Sequence, residues 1–193
     1  NQVFINCDIE IERLISRTFT LGVELLNHKE LEFGSVIVDL GFEKISCGLF
    51  KNLALVYSIT FPIGVNHITK DISKVCSLTL NESENIKNNI DFSFQNNQKI
   101  FDENDYLKNI YFINSSFRKI SKNLILSVIK SRLDEIFDLL KKQLIVPGFN
   151  LTSGINFLLT GGGSNLFNIE KCFINFFGPN VKRVDKNSVE KDK

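Results

Sequence analysis

Apolar residues change their period several times along the chain, and each change marks an element. Ile11, Leu14, Ile15, Phe19 and Val23 recur at steps of three or four, which places them on one face of a helix that ends near Asn27 and His28. The run from Ser35 through Val36, Ile37 and Val38 to Asp39, Leu40 and Gly41 reads as a short strand, and Ile45–Leu49 and Leu53–Ile59 supply two more. Three strands in succession predict a meander. Pro62 and Gly64 then turn the chain into a helical pattern with Ile68, Ile72 and Val75 on one side. Ile125, Ile129, Leu133, Ile136, Leu140 and Leu144 form the clearest amphipathic helix, which Pro147 and Gly148 end. Leu158 and Leu159 lie in a further strand, and Leu166, Ile169, Phe173 and Phe176 make a last apolar stripe before a charged tail, Lys182 to Lys193, expected to be solvated.

Between Asn81 and Phe117 the chain is richer in Asn, Asp and Lys, yet Asp91–Phe94 and Ile110–Ile113 carry enough apolar residues for short strands. This polarity shift, reversed at Pro147, predicts an α/β fold in two parts. The larger spans residues 1–65 and 146–193, and a smaller α/β subdomain over 66–145 interrupts it.

Composition narrows the chemistry. With 193 residues, 43% of them hydrophobic, the chain can bury a substantial core. A formal charge of +1, with lysines and acids interspersed, lacks the electrostatic footprint of a nucleic-acid binder, and that class is excluded. Cys7, Cys47, Cys76 and Cys172 form no CxxC pair and there are only two histidines, so a zinc site is not expected and each cysteine reads as a small core residue. No signal peptide and no run of 18 apolar residues is found, which gives the expectation of a soluble, cytoplasmic chain; its start at Asn1 suggests a piece of a longer protein. His28 is expected at a helix end, and His67, beside Asn66 and Thr69, at a helix start rather than as a catalytic base.

The stretch Phe157-Leu158-Leu159-Thr160-Gly161-Gly162-Gly163-Ser164 carries the most chemical information. A buried strand running into three glycines lets a planar or phosphorylated ligand lie on the main chain, while the plain alternative is a strand-to-helix turn with no ligand. Four segments together are more specific than any one of them. They are Val36-Ile37-Val38-Asp39-Leu40-Gly41, Ile63-Gly64-Val65-Asn66-His67-Ile68-Thr69-Lys70-Asp71-Ile72, Glu84-Asn85-Ile86-Lys87, and Leu158-Leu159-Thr160-Gly161-Gly162-Gly163. Their order and spacing resemble the second lobe of actin-like ATPases, and within that superfamily the bacterial cell-division FtsA family. Val128–Ile136 also looks like that family's long interlobe helix, and the resemblance runs from about Ile11 to Val181.

The resemblance implies an actin-like (ribonuclease H-like) lobe with an inserted small α/β subdomain, ATP and magnesium in a cleft shared with a first lobe, and a membrane-binding helix in a segment not present here. Family members hold magnesium through water on an acid matched by Asp39, phosphate on amides matched by Gly41, ribose and adenine on a Glu-x-x-Lys pair matched by Glu84 and Lys87, and adenosine on the loop of Gly161, Gly162 and Gly163. The chain departs from the family at Phe42, Glu43 and Lys44, where Gly, Gly or Ala, and Thr are usual. A carboxylate about 5 Å from a phosphate charge repels it by roughly 3 kcal/mol at an effective dielectric near 20. The implied function is a division adaptor that tethers filaments of the tubulin-like protein FtsZ to the inner face of the cell membrane at the division site and self-associates. At most it is a weak ATPase, with no hydrolysis from this chain alone. Lys130 and Arg132, off the apolar stripe of the long helix, would receive the acidic C-terminal peptide of FtsZ; a solvated helix face is the plain alternative. A sugar-kinase-like phosphotransferase and an Hsp70-like ATPase share the superfold and remain alternatives.

Overall fold

The computed structural model describes residues 2–92, 106–107, 119–145 and 155–184. A one-turn helix, α1 (Gln2–Ile5), and an extended segment lead into α2 (Arg17–Leu25) and α3 (His28–Phe33). The two helices are separate because Asn27 starts the second: its side chain accepts from Glu30 N–H at 2.9 Å, and its own N–H donates to the Glu30 carboxylate at 3.0 Å. His28 therefore opens a helix rather than ending one. Strands β1 (Ser35–Leu40), β2 (Ile45–Lys51) and β3 (Ala54–Phe61) follow as the expected antiparallel meander.

After β3 come α4 (Val65–Cys76), α5 (Leu80–Asn89) and the long α6 (Lys122–Gln143); then β4 (Asn156–Thr160), a 3-10 turn over Gly162–Asn165, α7 (Ile169–Phe177) and β5 (Val181–Arg183). The five strands lie in the order β3-β2-β1-β4-β5, with β1–β4 and β4–β5 parallel. All six residues of β1 are buried because helices cover both faces of the sheet. Val36, Val38 and Leu40 face α4, α6 and α7, while Ile37 faces Leu21 and Leu26 on the α2 and α3 side.

Every residue of the expected α6 stripe, Ile125 through Leu144, is buried. Phe137 of α6 packs edge-on to Phe173 of α7, with ring centroids 4.8 Å apart. Ile68 and Ile72 of α4 are buried in the same core, although Val75 is exposed. The described part of the segment 66–145 thus shares a continuous core with the sheet. Phe92, expected in a short strand, is buried outside any strand; residues 93–94 and 110–113 lie outside the described residues.

Three expectations are corrected. Leu14, Ile15, Phe19 and Val23 are exposed, and α2 presents Thr18, Leu21 and Gly22 to the sheet instead. Small residues belong there because β2 comes so close: a Cβ on Gly22 would sit 2.0 Å from the Phe50 ring, and one on Gly48 2.2 Å from the Thr18 methyl. Lys182 and Arg183 belong to β5 rather than to a solvated tail, since Val181, Lys182 and Arg183 pair with Phe157, Leu158 and Leu159. Of the cysteines, Cys47 and Cys172 are buried, and burial pushes the Cys47 thiol up to about 12, but Cys7 is exposed.

The α2–β2 contact gives a direct check. Gly22→Ala gains helix propensity of up to about 1 kcal/mol, yet it drives a methyl group into the buried Phe50 ring. With the overpacking cost at the upper end of its range, about 2–3 kcal/mol, a net loss of about 1–2 kcal/mol is expected in urea unfolding.

Candidate functional site

Parallel pairing sets Asp39, near the end of β1, opposite Thr160 at the end of β4. The next residue, Gly161, has φ of +85°, and a Cβ there would lie 2.3 Å from Asp39 Oδ1 and 2.7 Å from the Leu40 carbonyl. Only glycine makes that turn without displacing the acid. Gly163 is equally confined, with its Cβ position 2.5 Å from a Val65 methyl, whereas nothing lies within 4 Å of the Cβ position of Gly162. Gly161 and Gly163 are therefore packing glycines, and Gly162 alone offers bare backbone to open space. Ser164 holds the turn by donating its hydroxyl to the Gly161 carbonyl at 2.7 Å.

Asp39 is 6% exposed. Its Oδ2 accepts from Arg17 Nε at 2.7 Å, and its buried Oδ1 has no partner among the described residues. An unpaired buried acceptor costs about 1–3 kcal/mol, and such groups are rare in folded proteins. Arg17 went unrecognised in the sequence because it precedes the first strand by many residues. Asp39 points to the same face of β1 as Ile37, toward α2, and only that tertiary placement brings the two together.

The loop after β1 closes tightly, with Gly41 N–H donating to the Lys44 carbonyl at 3.1 Å. The Gly41 and Phe42 carbonyls then accept from Val65 and Asn66 N–H, at 3.0 and 2.9 Å, and so cap the start of α4. His67 stands at that helix start as expected, its Nδ1 accepting from Gly64 N–H at 3.1 Å. Phe42 is 57% exposed. Glu43 turns to α4, accepting from Asn66 Nδ2 at 2.6 Å with Lys70 Nζ 3.4 Å away. The Asn66 hydrogen bond, opposed by desolvation and helped by Lys70, holds its carboxyl below the ordinary value. The charge of Glu43 is thus balanced by Lys70.

Glu84 and Lys87 share one face of α5, but their partners are inside the protein. The Lys87 ammonium, 1% exposed, donates to Glu84 Oε2 at 2.7 Å and Thr69 Oγ1 at 3.0 Å, and lies 3.5 Å from the Val65 carbonyl. Thr69 donates to Glu84 Oε2 at 2.5 Å. All three ammonium protons are accounted for, so this arrangement ties α5 to α4. Desolvation raises the Glu84 pKa, but hydrogen bonds from Lys87 and Thr69, with the Lys87 charge, outweigh it and leave the carboxyl below its ordinary value.

Lys130 and Arg132 differ in the same way. Lys130 is 59% exposed and 3.9 Å from Asp134, whereas Arg132 grips Asp71 of α4 with Nε and a terminal nitrogen, at 2.6 and 3.1 Å, and also pairs with Glu135. The Asp71 hydrogen bonds raise the Arg132 pKa further. Beside Lys130 a groove of about 180 Å³ runs between α6 and α7, floored by Leu133, Phe137, Cys172 and Phe176.

The open backbone at Gly162 fits a planar or phosphorylated ligand. Magnesium fits less well, because one Asp39 oxygen is bonded to Arg17 and the other is sealed behind Gly161. Among the described residues no group of three His, Cys, Asp or Glu side chains is placed to hold a metal ion, and no helix is long and apolar enough to cross a membrane.

Comparison with known proteins gives a consistent picture. The family model described as cell division protein FtsA matches residues 36–191. Curated relatives named cell division protein FtsA include that of Buchnera aphidicola, 27% identical over 188 residues, covering 91% of this chain and 43% of the relative. That of Enterococcus hirae is 25% identical over 185 residues, covering 95% and 41%. The chain therefore spans about two-fifths of the length of these relatives. Among solved structures, MreB5 of Spiroplasma citri bound to ADP superposes with a TM-score of 0.74 at 21% identity, over 95% of this chain and 58% of that one. The same protein bound to AMPPNP gives 0.72 at 22% identity, over 94% and 57%. The PilM-PilN type IV pilus biogenesis complex gives 0.63 at 16% identity, over 94% and 44%. The fold is that of the actin-like ATPases, and the matches favour the cell-division reading over the sugar-kinase and Hsp70-like alternatives.

The lowered pKa of Glu84 has a consequence for acid stability. A carboxyl whose folded pKa lies below the unfolded value adds stability above the unfolded pKa and loses it as pH falls through the folded one. Between about pH 5 and about pH 3 the wild-type chain should therefore lose more unfolding free energy than Glu84→Gln, as read by urea titration at each pH. Parallel pH curves would assign the acid sensitivity to another group.

Proposed function

The chain belongs to the FtsA family of cell-division proteins, and on that premise we propose that it is the second lobe of an actin-like division adaptor whose cleft holds a nucleotide. The observation that carries this reading is the open backbone of Gly162 beside an acid with an unpaired buried oxygen. Gly162 receives the nucleoside, held in place by the packed Gly161 and Gly163 on either side, and Asp39 and Gly41 border the phosphates. Glu84 and Lys87 shape the pocket wall by joining α5 to α4, with the Glu84 carboxylate, 36% exposed, the member open to a ribose hydroxyl. Phe42, Glu43 and Lys44 make the phosphate end of this cleft poorer in bare amides than is usual for the family. ATP is the proposed ligand, held weakly by this lobe, with nucleotide state rather than turnover as the useful output.

In this reading the protein works at the inner face of the membrane, self-associates as actin-like proteins do, and reaches lipid through a segment outside this chain. Its partner is the acidic, hydrophobic C-terminal peptide of FtsZ. The groove between α6 and α7 supports that proposal: an apolar floor suits the peptide's hydrophobic side chains, and Lys130 at the rim suits its carboxylates. Arg132 acts behind Lys130 by fixing α6 to α4 through Asp71.

Two measurements test the reading. In calorimetry with millimolar ATP, Gly162→Ala should weaken binding at least about tenfold, because its methyl group occupies the ligand's place, while thermal stability changes little in open space. Unchanged affinity would remove the glycine turn from the site. For the partner, fluorescence anisotropy with the FtsZ C-terminal peptide should give a roughly micromolar dissociation constant that rises with salt and about fivefold in Lys130→Ala. No binding by the wild-type chain would overturn the adaptor reading.

A further inference from the structure

Arg17 is the first residue of α2, and its side chain is 67% exposed. It touches Asp39 through Nε alone, at 2.7 Å, and its two terminal nitrogens have no partner among the described residues. A guanidinium is a rigid fork. When a carboxylate holds it by Nε, the outer pair of N–H groups keeps a fixed direction and suits the two oxygens of a phosphate.

The position is the relevant one. Asp39 lies against Gly161, one residue before the open backbone of Gly162. The pairing also changes the electrostatics, because a carboxylate alone at the end of β1 repels a phosphate and calls for a cation between them. Here that cation is already present and covalently part of the chain. A hydrated magnesium ion would have to displace a 2.7 Å ion pair to reach Oδ2, and Oδ1 is sealed. Glu43 does not offset Arg17, since it pairs with Lys70 on the other side of the loop.

We propose that Arg17 is a phosphate-binding residue of this cleft, oriented by Asp39, and that the cleft consequently takes a nucleotide without needing a divalent metal. The proposal rests on the nucleotide reading above and adds to it the group that meets the phosphates and the metal requirement.

The test uses the 193-residue chain labelled with 15N. ATP is titrated to millimolar concentration in EDTA and again in excess magnesium, while the Gly162 amide and the Arg17 Nε–H signals are followed. Dissociation constants within about threefold of each other with and without magnesium, and an Arg17 signal that saturates together with Gly162, are expected. In EDTA, Arg17→Gln should bind ATP at least about tenfold more weakly and Arg17→Lys should recover part of the loss, as charge without the fork allows. Adenosine, which has no phosphate, should bind wild type and Arg17→Gln alike. Thermal unfolding checks that both variants are folded; if Arg17→Gln is not, Arg17→Lys and the wild-type metal comparison decide. A requirement for magnesium, or equal ATP affinity in wild type and a folded Arg17→Gln, overturns the Arg17 assignment alone. A Gly162 signal unmoved by both ATP and adenosine overturns the nucleotide reading and this inference with it.

Discussion

Backbone crowding at the adjoining ends of β1 and β4 is the constraint on which the rest of the molecule depends. Three chain segments meet there with no room for side chains. A Cβ on Gly64 would lie 2.2 Å from the Phe42 carbonyl, one on Gly161 2.3 Å from Asp39 Oδ1, and one on Gly163 2.5 Å from Val65. The parallel register of β1 and β4 creates this meeting, because it ends both strands at the same level. The meeting point sits at the carboxyl ends of parallel strands, where α/β sheets place their ligands. Its shape is then set by main chain rather than by rotamers, so it is preorganised by the same contacts that close the core.

Much of the fold was legible in the chain, for identifiable physical reasons. The meander was visible because β1 is a short apolar run and β3 is rich in β-branched and aromatic residues. Helix α6 was visible because all six stripe residues obey one period and one core receives them. The orientation of α2 was not visible. Its apolar residues follow a helical period, but the sheet comes too near for them, and Thr18 and Gly22 fill the contact instead. Strand β5 was hidden because an edge strand with one buried residue out of three reads as a charged tail.

The candidate site was legible as residue types and less so as partnerships. The resemblance pointed to Asp39 and the glycines, yet the distinction between Gly162 and its two neighbours depends on what each would strike. The resemblance assigned Lys87 to a nucleoside and Arg132 to a peptide. Burial beside Thr69 and Glu84 in one case, and a bidentate grip on Asp71 in the other, engages them within the protein. The spacing of Glu84 and Lys87 was visible, but no local pattern announces Thr69 or Asp71, which lie 18 and 61 positions from Lys87 and Arg132. The Arg17–Asp39 pair, 22 positions apart, was unreadable for the same reason.

Helix α4 is a tie between three parts of the molecule. At one end its first amides hang from the carbonyls of Gly41 and Phe42, so the loop after β1 and the helix share hydrogen bonds. One turn along, Thr69 is tied to Lys87, and further on Asp71 is clamped by Arg132 of α6. A helix of 12 residues is about 18 Å of stiff rod. The loop after β1, helix α5 and helix α6 are therefore tied to one stiff element, and none of the three shifts against it without breaking a hydrogen bond.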